Sequence, residues 1–232
     1  MGGLVFCYVC DGRSEFAMKI LTVSDKVDEL IYSPALKRLG AGVDLILGCG
    51  DLPAYYLEFI VTMLGGPLFY VIGNHANAVR DQHRPFSKWV YPGGCENIDG
   101  HVVRYKNLLI AGLEGSMRYN NNPYYKYTER EMALKAWGLA PSLLMNRLFH
   151  GRYLDILITH APPHGIHDRA DRCHQGFRAF VNFMERFRPR YLIHGHVHVY
   201  SPSEVVETVY RETTVINTYG YRMLEIDEET LL

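Results

Sequence analysis

The sequence alternates short apolar runs with longer segments in which apolar residues recur every three or four positions. The short runs, bounded by polar residues or glycine, are typical of buried strands. We predict such strands at residues 19–23, 44–47, 68–72, 155–159 and 191–193. The helical spacing predicts helices at residues 30–39, 55–64, 128–149 and 177–187, with interruptions at Pro34, Gly138 and Pro141.

This alternation of strand and helix predicts an α/β fold, in which functional sites lie beyond the carboxyl ends of the strands. The second half of the chain adds antiparallel features. Residues 102–105 and 108–111 have the pattern of a β-hairpin, and residues 213–216 and 223–226 are expected to be closing strands. Residues 77–97 show no clear periodicity, so we predict a loop that crosses the surface.

Length and charge restrict the class of protein. With 232 residues, 48% of them hydrophobic, the chain can bury a large core, and we expect residues 1–232 to form a single domain. The 24 basic and 25 acidic residues nearly cancel, so nucleic acid and anionic membranes are not expected partners. No apolar run approaches the roughly 20 residues that span a bilayer, and the start lacks a signal-peptide pattern. The simplest prediction is a cytoplasmic protein.

The cysteines do not suggest a disulfide framework. There are five, an odd number scattered along the chain. Cys7 and Cys10 form one Cys-x-x-Cys motif without a second pair, which favours two thiols in or beside a strand over a structural zinc site. A turn-like cluster at residues 11–14 suggests that residues 1–17 form an N-terminal hairpin extension.

Side chains of the metal-ligand type follow five predicted strands. They are Asp25, Asp51, Asn74 with His75, His160, and His196 with His198. Any one of them is compatible with an ordinary turn or an exposed loop. Because the carboxyl ends of neighbouring strands meet at one edge of a sheet, the five together favour a metal site. Gly195 allows the backbone to turn between His194 and His196.

In this order the five strand ends resemble the motifs of the calcineurin-like metallophosphoesterase superfamily, which read Asp-x-His, Gly-Asp, Gly-Asn-His-Asp/Glu, His and Gly-His-x-His. Here they stand as Asp25-Lys26-Val27, Gly50-Asp51, Gly73-Asn74-His75-Ala76, His160 and Gly195-His196-Val197-His198. The resemblance runs from about residue 19 to residue 226. It implies a four-layer α-β-β-α sandwich of two mixed sheets flanked by helices.

The resemblance also implies a dinuclear site at which a metal-activated water hydrolyses a phosphodiester or phosphomonoester. The first ion would be held by Asp25, Asp51 and His198. The second ion would be held by Asp51, Asn74, His160 and His196. Asp51 would bridge the ions, and His75 would contact the phosphate and protonate the leaving group. A mixed set of Asp, Asn and His suits Mn²⁺, Fe or Zn²⁺. His194 matches no ligand position and is expected to be structural.

Two positions depart from the family pattern. Val27 stands where the family has its first histidine, and it cannot coordinate an ion. We therefore expect the second ion to be bound tightly and the first to be labile, its shell completed by water or by Asp28, or its position empty. Ala76 replaces a carboxylate that usually follows the histidine, so His75 lacks one orienting partner.

The surroundings of the predicted site suggest the kind of substrate. His174, in a polar loop after His160, and Tyr119, in a segment with four tyrosines, are candidate substrate contacts. The tyrosines could stack on a flat group of a nucleotide-like phosphoester or form an interface between subunits. A diester is favoured because no large cap domain is evident. The alternative function, motivated by Val27 and Ala76, is a catalytically weakened member that binds a ligand or a partner protein.

Overall fold

The computed structural model describes residues 17–75 and 91–227; the predicted N-terminal hairpin, including Cys7 and Cys10, falls outside these ranges except for Ala17. The strands are β1 Ala17–Ser24, β2 Leu45–Gly48, β3 Leu68–Tyr70, β4 Cys95–Asn97, β5 Val102–Tyr105, β6 Leu108–Leu113, β7 Ser116–Met117, β8 Lys126–Tyr127, β9 Ile156–Thr159, β10 Tyr191–His194, β11 Glu207–Tyr210, β12 Thr213–Asn217 and β13 Gly220–Asp227. The helices are α1 Leu36–Leu39, α2 Ala54–Leu64, α3 Glu129–Gly138, α4 Ala140–His150 and α5 Arg178–Phe187.

Two mixed sheets contain most of the strands. The first has the order β13-β1-β2-β3-β4, in which β1 to β4 are parallel and β13 is antiparallel to β1. The second has the order β11-β12-β10-β9-β6-β5, with four parallel central strands and an antiparallel strand at each edge. Strands β7 and β8 form a separate parallel pair. The hairpin of β5 and β6 and the closing strands are confirmed.

The core consists of three apolar clusters that separate four layers. Side chains alternate along each strand, so Ile156 and Ile158 face the first sheet while Leu157 faces the helices. One cluster lies between the sheets, a second joins the second sheet to α3, α4 and α5, and a third joins the first sheet to α1 and α2. The α-β-β-α arrangement is confirmed. Within the described ranges, no helix is long and apolar enough to cross a bilayer.

The predicted helix at residues 30–39 is wrong over most of its length, since only Leu36–Leu39 is helical. Pro34 has no N–H and disfavours helical geometry in the residue before it. The preceding residues form separate turns instead, in which the Tyr32 N–H bonds the carbonyl of Asp28, and the Ser33 hydroxyl accepts from the Ala35 N–H. These turns carry the chain away from the end of β1.

Other boundaries follow the local sequence more closely. The break predicted near Gly138 and Pro141 is confirmed, because α3 ends at Gly138 and α4 begins at Ala140. Thr128 begins α3 with a capping box that involves Glu131. Four of the described strands were not predicted. β4 lies inside the supposed surface loop, β7 and β8 are two-residue strands, and β11 is an edge strand with partly exposed side chains.

We expect Ile158→Ala to lower the free energy of unfolding by about 2–5 kcal/mol, the usual cost of truncating a large side chain in a packed core. Ile158 is fully buried between the two sheets. Val209→Ala, on the exposed edge strand β11, is the matched control and should change stability by less than about 0.5 kcal/mol. Urea denaturation measures both, and equal effects would contradict the assigned position of the inter-sheet core.

Candidate metal centre

The predicted site residues meet where the carboxyl ends of the two sheets approach each other. Strands β1, β2 and β3 of the first sheet end shortly before Asp25, Asp51 and Asn74, and β9 and β10 of the second sheet end shortly before His160 and His196. Several hydrogen bonds join the sheets at this edge. The His196 N–H donates to Asp25 Oδ2 at 2.8 Å, and His160 Nδ1 lies 2.8 Å from the carbonyl oxygen of Cys49.

The backbone is unusual at three of these residues. Asp25, Asp51 and His196 have φ angles of 61°, 54° and 66°, in the left-handed region that non-glycine residues rarely adopt. Gly195 permits the closest approach of the sheets, since a Cβ there would overlap the hydroxyl of Ser24 and the carboxylate of Asp25. Strained backbone that converges on one point is common at functional sites. The packing of the fold therefore holds a strained backbone that brings these side chains together.

Asp25 is held so that one carboxylate oxygen remains available. Its side chain is 2% exposed. Oδ2 accepts hydrogen bonds from the Ser24 hydroxyl at 2.6 Å and the His196 N–H at 2.8 Å, whereas Oδ1 lies 3.9 Å from His198 Nε2. Burial raises the pKa of Asp25, and the positive charge of His160 opposes that rise only in part. A neighbouring cation would stabilise the ionised form of this carboxylate.

Asp51 lies centrally among the other candidate residues. Oδ1 accepts the His75 N–H at 2.9 Å, and Oδ2 lies 3.2 Å from His160 Nε2 and 3.9 Å from His75 Nε2. Burial alone would raise the pKa of Asp51, but the charge of His160 and the hydrogen bonds from His160 and His75 lower it to about 2. This carboxylate is therefore ionised at neutral pH.

His160 gathers several acceptor atoms around one nitrogen. The ring is fully buried, and because a carbonyl can only accept, Nδ1 must donate its proton to Cys49. Nε2 then faces Asn74 Oδ1 at 2.9 Å and Asp51 Oδ2 at 3.2 Å. Such a group of lone pairs requires a proton or a metal ion between its members. Burial lowers the pKa of His160, yet Asp51 and Asp25 raise it to about 9, which reflects the same demand for positive charge.

His196 is oriented through its Nε2 atom, whereas His160 is oriented through Nδ1. Its Nε2 lies 2.7 Å from the carbonyl oxygen of Cys173, so Nε2 carries the proton and Nδ1 keeps the free lone pair. The ring centroid is 4.8 Å from that of His160. Burial lowers the pKa of His196 to about 3, so the imidazole is neutral, as a metal ligand must be. The donor set of Asp51, Asn74, His160 and His196 fits a divalent transition metal.

His75 and His198 lie at the solvent side of the cluster. The side chain of His75 is 68% exposed and that of His198 is 41% exposed. The ring of His198 packs against Tyr219 with a centroid distance of 4.7 Å, and its Nδ1 lies 3.1 Å from the Tyr200 hydroxyl. These two histidines are consequently less restrained than the buried pair.

Val27 and Asp28 contribute no ligand to this cluster. Val27 is half-buried and packs against the apolar cluster of the first sheet and α2. Asp28 Oδ1 accepts the Leu30 N–H at 3.0 Å, and its Oδ2 lies 3.9 Å from Lys26 Nζ. Within the described ranges, Asp25, Asp51 and His160 lie close enough to share an ion, and Asp171, Cys173 and His174 form a second such group; Asp28 belongs to neither. Ala76 is outside the described ranges.

The two candidate substrate contacts lie beside the cluster. The Asn74 side-chain nitrogen is 3.5 Å from the Tyr119 hydroxyl, and the His174 ring centroid is 5.2 Å from that of His196. His174 Nδ1 is also 2.9 Å from a carboxylate oxygen of Asp171. His194, by contrast, is buried behind the site, where its Nε2 lies 3.0 Å from Nδ1 of His167. A structural contact for His194 agrees with the sequence-based expectation.

Sequence reasoning missed several groups that position the site. Ser24 bonds Asp25, and the carbonyl groups of Cys49 and Cys173 orient the two buried imidazoles. Lys126 is buried, donates to the carbonyl of Asn74 at 3.2 Å and lies over the ring of Tyr119. Carbonyl contacts leave no residue-type signal, and nothing in the sequence distinguishes Lys126 from an exposed lysine.

Comparison with known proteins gives one family match and several structures with a similar fold. A family model described as calcineurin-like phosphoesterase matches residues 18–200. Among solved structures, TT1561 of Thermus thermophilus matches with a TM-score of 0.57 and 14% identity over 91% of this chain and 99% of its own. GAP50, described as the anchor in the inner membrane complex of Plasmodium, matches with a TM-score of 0.53 and 13% identity over 92% of this chain and 82% of its own. No curated protein matches significantly.

We expect Gly195→Ala to lower the affinity for Mn²⁺ at least about tenfold, because the added methyl group must displace Ser24 and Asp25. Calorimetric titration of the metal-stripped protein measures this, and a thermal unfolding curve shows that the variant is folded. Gly138→Ala is the control, since a Cβ there meets no atom within 4 Å. Unchanged affinity in Gly195→Ala would contradict the assigned role of the sheet contact.

Proposed function

Because the chain belongs to the calcineurin-like phosphoesterase family, we propose that it is a metal-dependent hydrolase of phosphoesters, with a phosphodiester as the preferred substrate. The observation that carries this proposal is the convergence of acceptor atoms on His160 Nε2, where Asn74 Oδ1 and Asp51 Oδ2 lie at 2.9 and 3.2 Å. These atoms belong to three different strand ends and are buried. A group of this kind is suited to holding a cation.

Two divalent ions would share the site. The second ion would be held by Asp51, Asn74, His160 and His196. The first ion would be held by Asp25, Asp51 and His198. Asp51 would contribute to both positions, and its Oδ1 already accepts the His75 N–H. When bound, the ions supply Lewis acidity to the phosphoryl oxygens and lower the pKa of an attacking water. Mixed oxygen and nitrogen ligands favour Mn²⁺, Fe or Zn²⁺.

The protein's own residues orient the substrate and move protons. His75 is exposed and lies 3.9 Å from Asp51, so its imidazole can contact a phosphate oxygen and donate a proton to the departing alkoxide. Ser24, Cys49 and Cys173 fix the buried ligands through hydrogen bonds, which keeps the site ready to bind.

A second candidate function is binding without turnover, and Val27 is the observation that favours it. Val27 packs into the apolar cluster instead of facing an ion, which leaves the first ion with fewer protein ligands than the second. The fold is compatible with such a role, since GAP50, which has a similar fold, is described as an anchor. Measurements of metal content and turnover distinguish the two functions.

We expect one tightly bound and one labile ion per chain. After reconstitution with Mn²⁺ and extensive dialysis, atomic emission should find about one ion per chain, because the second ion has four protein ligands and the first has three. Val27→His introduces an imidazole that can bind the first ion, so this variant should retain nearly two ions per chain. Val27→Leu introduces no ligand and should retain about one. Two ions retained by the unmodified chain would contradict the expected difference between the positions.

We expect the Mn²⁺-loaded protein to hydrolyse a chromogenic phosphodiester such as bis(p-nitrophenyl) phosphate. Asp51→Asn and His196→Ala should each lower kcat/KM by more than about 100-fold, since the first removes the negative charge shared by both ions and the second removes a ligand of the second ion. His150→Ala, at the end of α4, is the control and should leave kcat/KM unchanged. Turnover that is absent with Mn²⁺, Fe²⁺ and Zn²⁺, or equal in all variants, would reject the hydrolase and leave the binding function.

A further inference from the structure

An open cavity of about 390 Å³ adjoins the metal centre. Residues 117–121, after β6, form one wall, and Arg172 and Gln175, between β9 and α5, form another. Tyr119 belongs to the first wall and contacts the side chain of Asn74. Arg172 directly precedes Cys173, whose carbonyl orients His196. The cavity therefore begins beside two of the proposed ligands of the second ion.

The wall that contains Tyr119 is fixed by buried polar contacts. Lys126 is 4% exposed and its Nζ lies 5.3 Å from the centroid of the Tyr119 ring. The same ammonium group donates to the carbonyl of Asn74 at 3.2 Å. A cation over an aromatic face in a buried position is a substantial attraction. The ring is consequently held between the metal centre and the cavity as a preformed surface.

Most charges around the cavity already have partners. Arg118 makes a bidentate ion pair with Glu131, with N···O distances of 3.1 and 2.9 Å. The carboxylate of Glu129 accepts the backbone N–H groups of Arg178 and Ala179 at the start of α5, at 3.2 and 2.6 Å. Neither charge is free to bind a ligand without breaking a contact in the fold.

Arg172 differs from these residues. Its side chain is exposed and makes no hydrogen bond or ion pair within residues 17–75 and 91–227. The amides of Asn121 and Gln175, on the same cavity, also make no side-chain hydrogen bond in these ranges. The cavity thus presents one uncommitted guanidinium group and two uncommitted amides. A guanidinium group binds carboxylate and phosphate groups through paired hydrogen bonds.

We propose that this cavity binds a second anionic group of the substrate, a carboxylate or phosphate beyond the scissile phosphoester, through Arg172 with Asn121 and Gln175 as hydrogen-bonding partners. The inference rests on the proposed hydrolase function, because it assigns the scissile group to the metal centre. Tyr119 contacts the part of the substrate between the two anionic groups. The preferred substrates are then phosphodiesters that carry an additional negative charge.

The test compares three p-nitrophenyl phosphodiesters whose second substituent is propyl, 2-carboxyethyl or 2-phosphonoethyl. With Mn²⁺, we expect kcat/KM to favour an anionic ester over the propyl ester by about fivefold, as suits a partly exposed ion pair. Arg172→Gln should reduce this ratio to about one, and Arg172→Lys should retain part of it. The anionic ester with the larger ratio identifies which anion the cavity prefers.

Arg130→Gln is the matched control, because Arg130 is an exposed arginine on α3 that does not line the cavity; this variant should keep the fivefold ratio. Calorimetric dissociation constants for the same esters, with the metal removed by EDTA, should show the same ranking without turnover. If no ester is hydrolysed, the proposed function fails and the dissociation constants decide the inference. The inference is wrong if the unmodified protein shows an anionic-to-propyl ratio near one in both kcat/KM and the dissociation constants. It is also wrong if Arg172→Gln leaves the wild-type ratio unchanged.

Discussion

The structure depends on the close contact between the two sheets at the carboxyl ends of their central strands. The backbone of Gly195 lies against Ser24 and Asp25 with no room for a Cβ, and the His196 N–H bonds the Asp25 carboxylate. This hydrogen bond orients a carboxylate of the first sheet with the backbone of the second. Asp25, Asp51 and His196, which lie at this contact or beside it, have left-handed backbone. The large inter-sheet core stabilises a geometry that these residues would not adopt in isolation.

The imidazoles of the site are oriented from behind by backbone carbonyls. His160 uses Nδ1 for this contact and presents Nε2 to Asn74 and Asp51, whereas His196 uses Nε2 and keeps the free lone pair on Nδ1. Cys49 directly follows β2 of the first sheet, whereas Cys173 lies in the loop between β9 and α5. Burial keeps His196 neutral, while the acceptors around His160 demand positive charge. His196 can therefore offer a neutral lone pair to a cation, and the acceptors around His160 would stabilise the positive charge of that cation.

Much of the fold was predictable because strand periodicity and strand-end residues are local signals. The buried strands around β9 and β10 are short apolar runs, and the polar residues that follow them identify one edge of the sheets. The prediction failed at residues 30–39, where apolar spacing suggested a helix but Pro34 favoured turns. It also missed β4, whose pairing with β3 is a long-range contact without a local pattern. The partners of Lys126 could not be predicted, since its burial depends on tertiary structure.

The single substitution at Val27 affects the two proposed ion positions unequally because their remaining ligands differ in burial. The second position draws on Asn74, His160 and His196, which are all buried, and carbonyl groups fix both imidazoles. The first position depends on His198, whose ring is partly exposed and held mainly by tyrosines. Val27 packs in the apolar cluster with α2 and would leave the less restrained position with three protein ligands. The difference in affinity that we propose between the two ions would therefore arise from the packing of the first sheet.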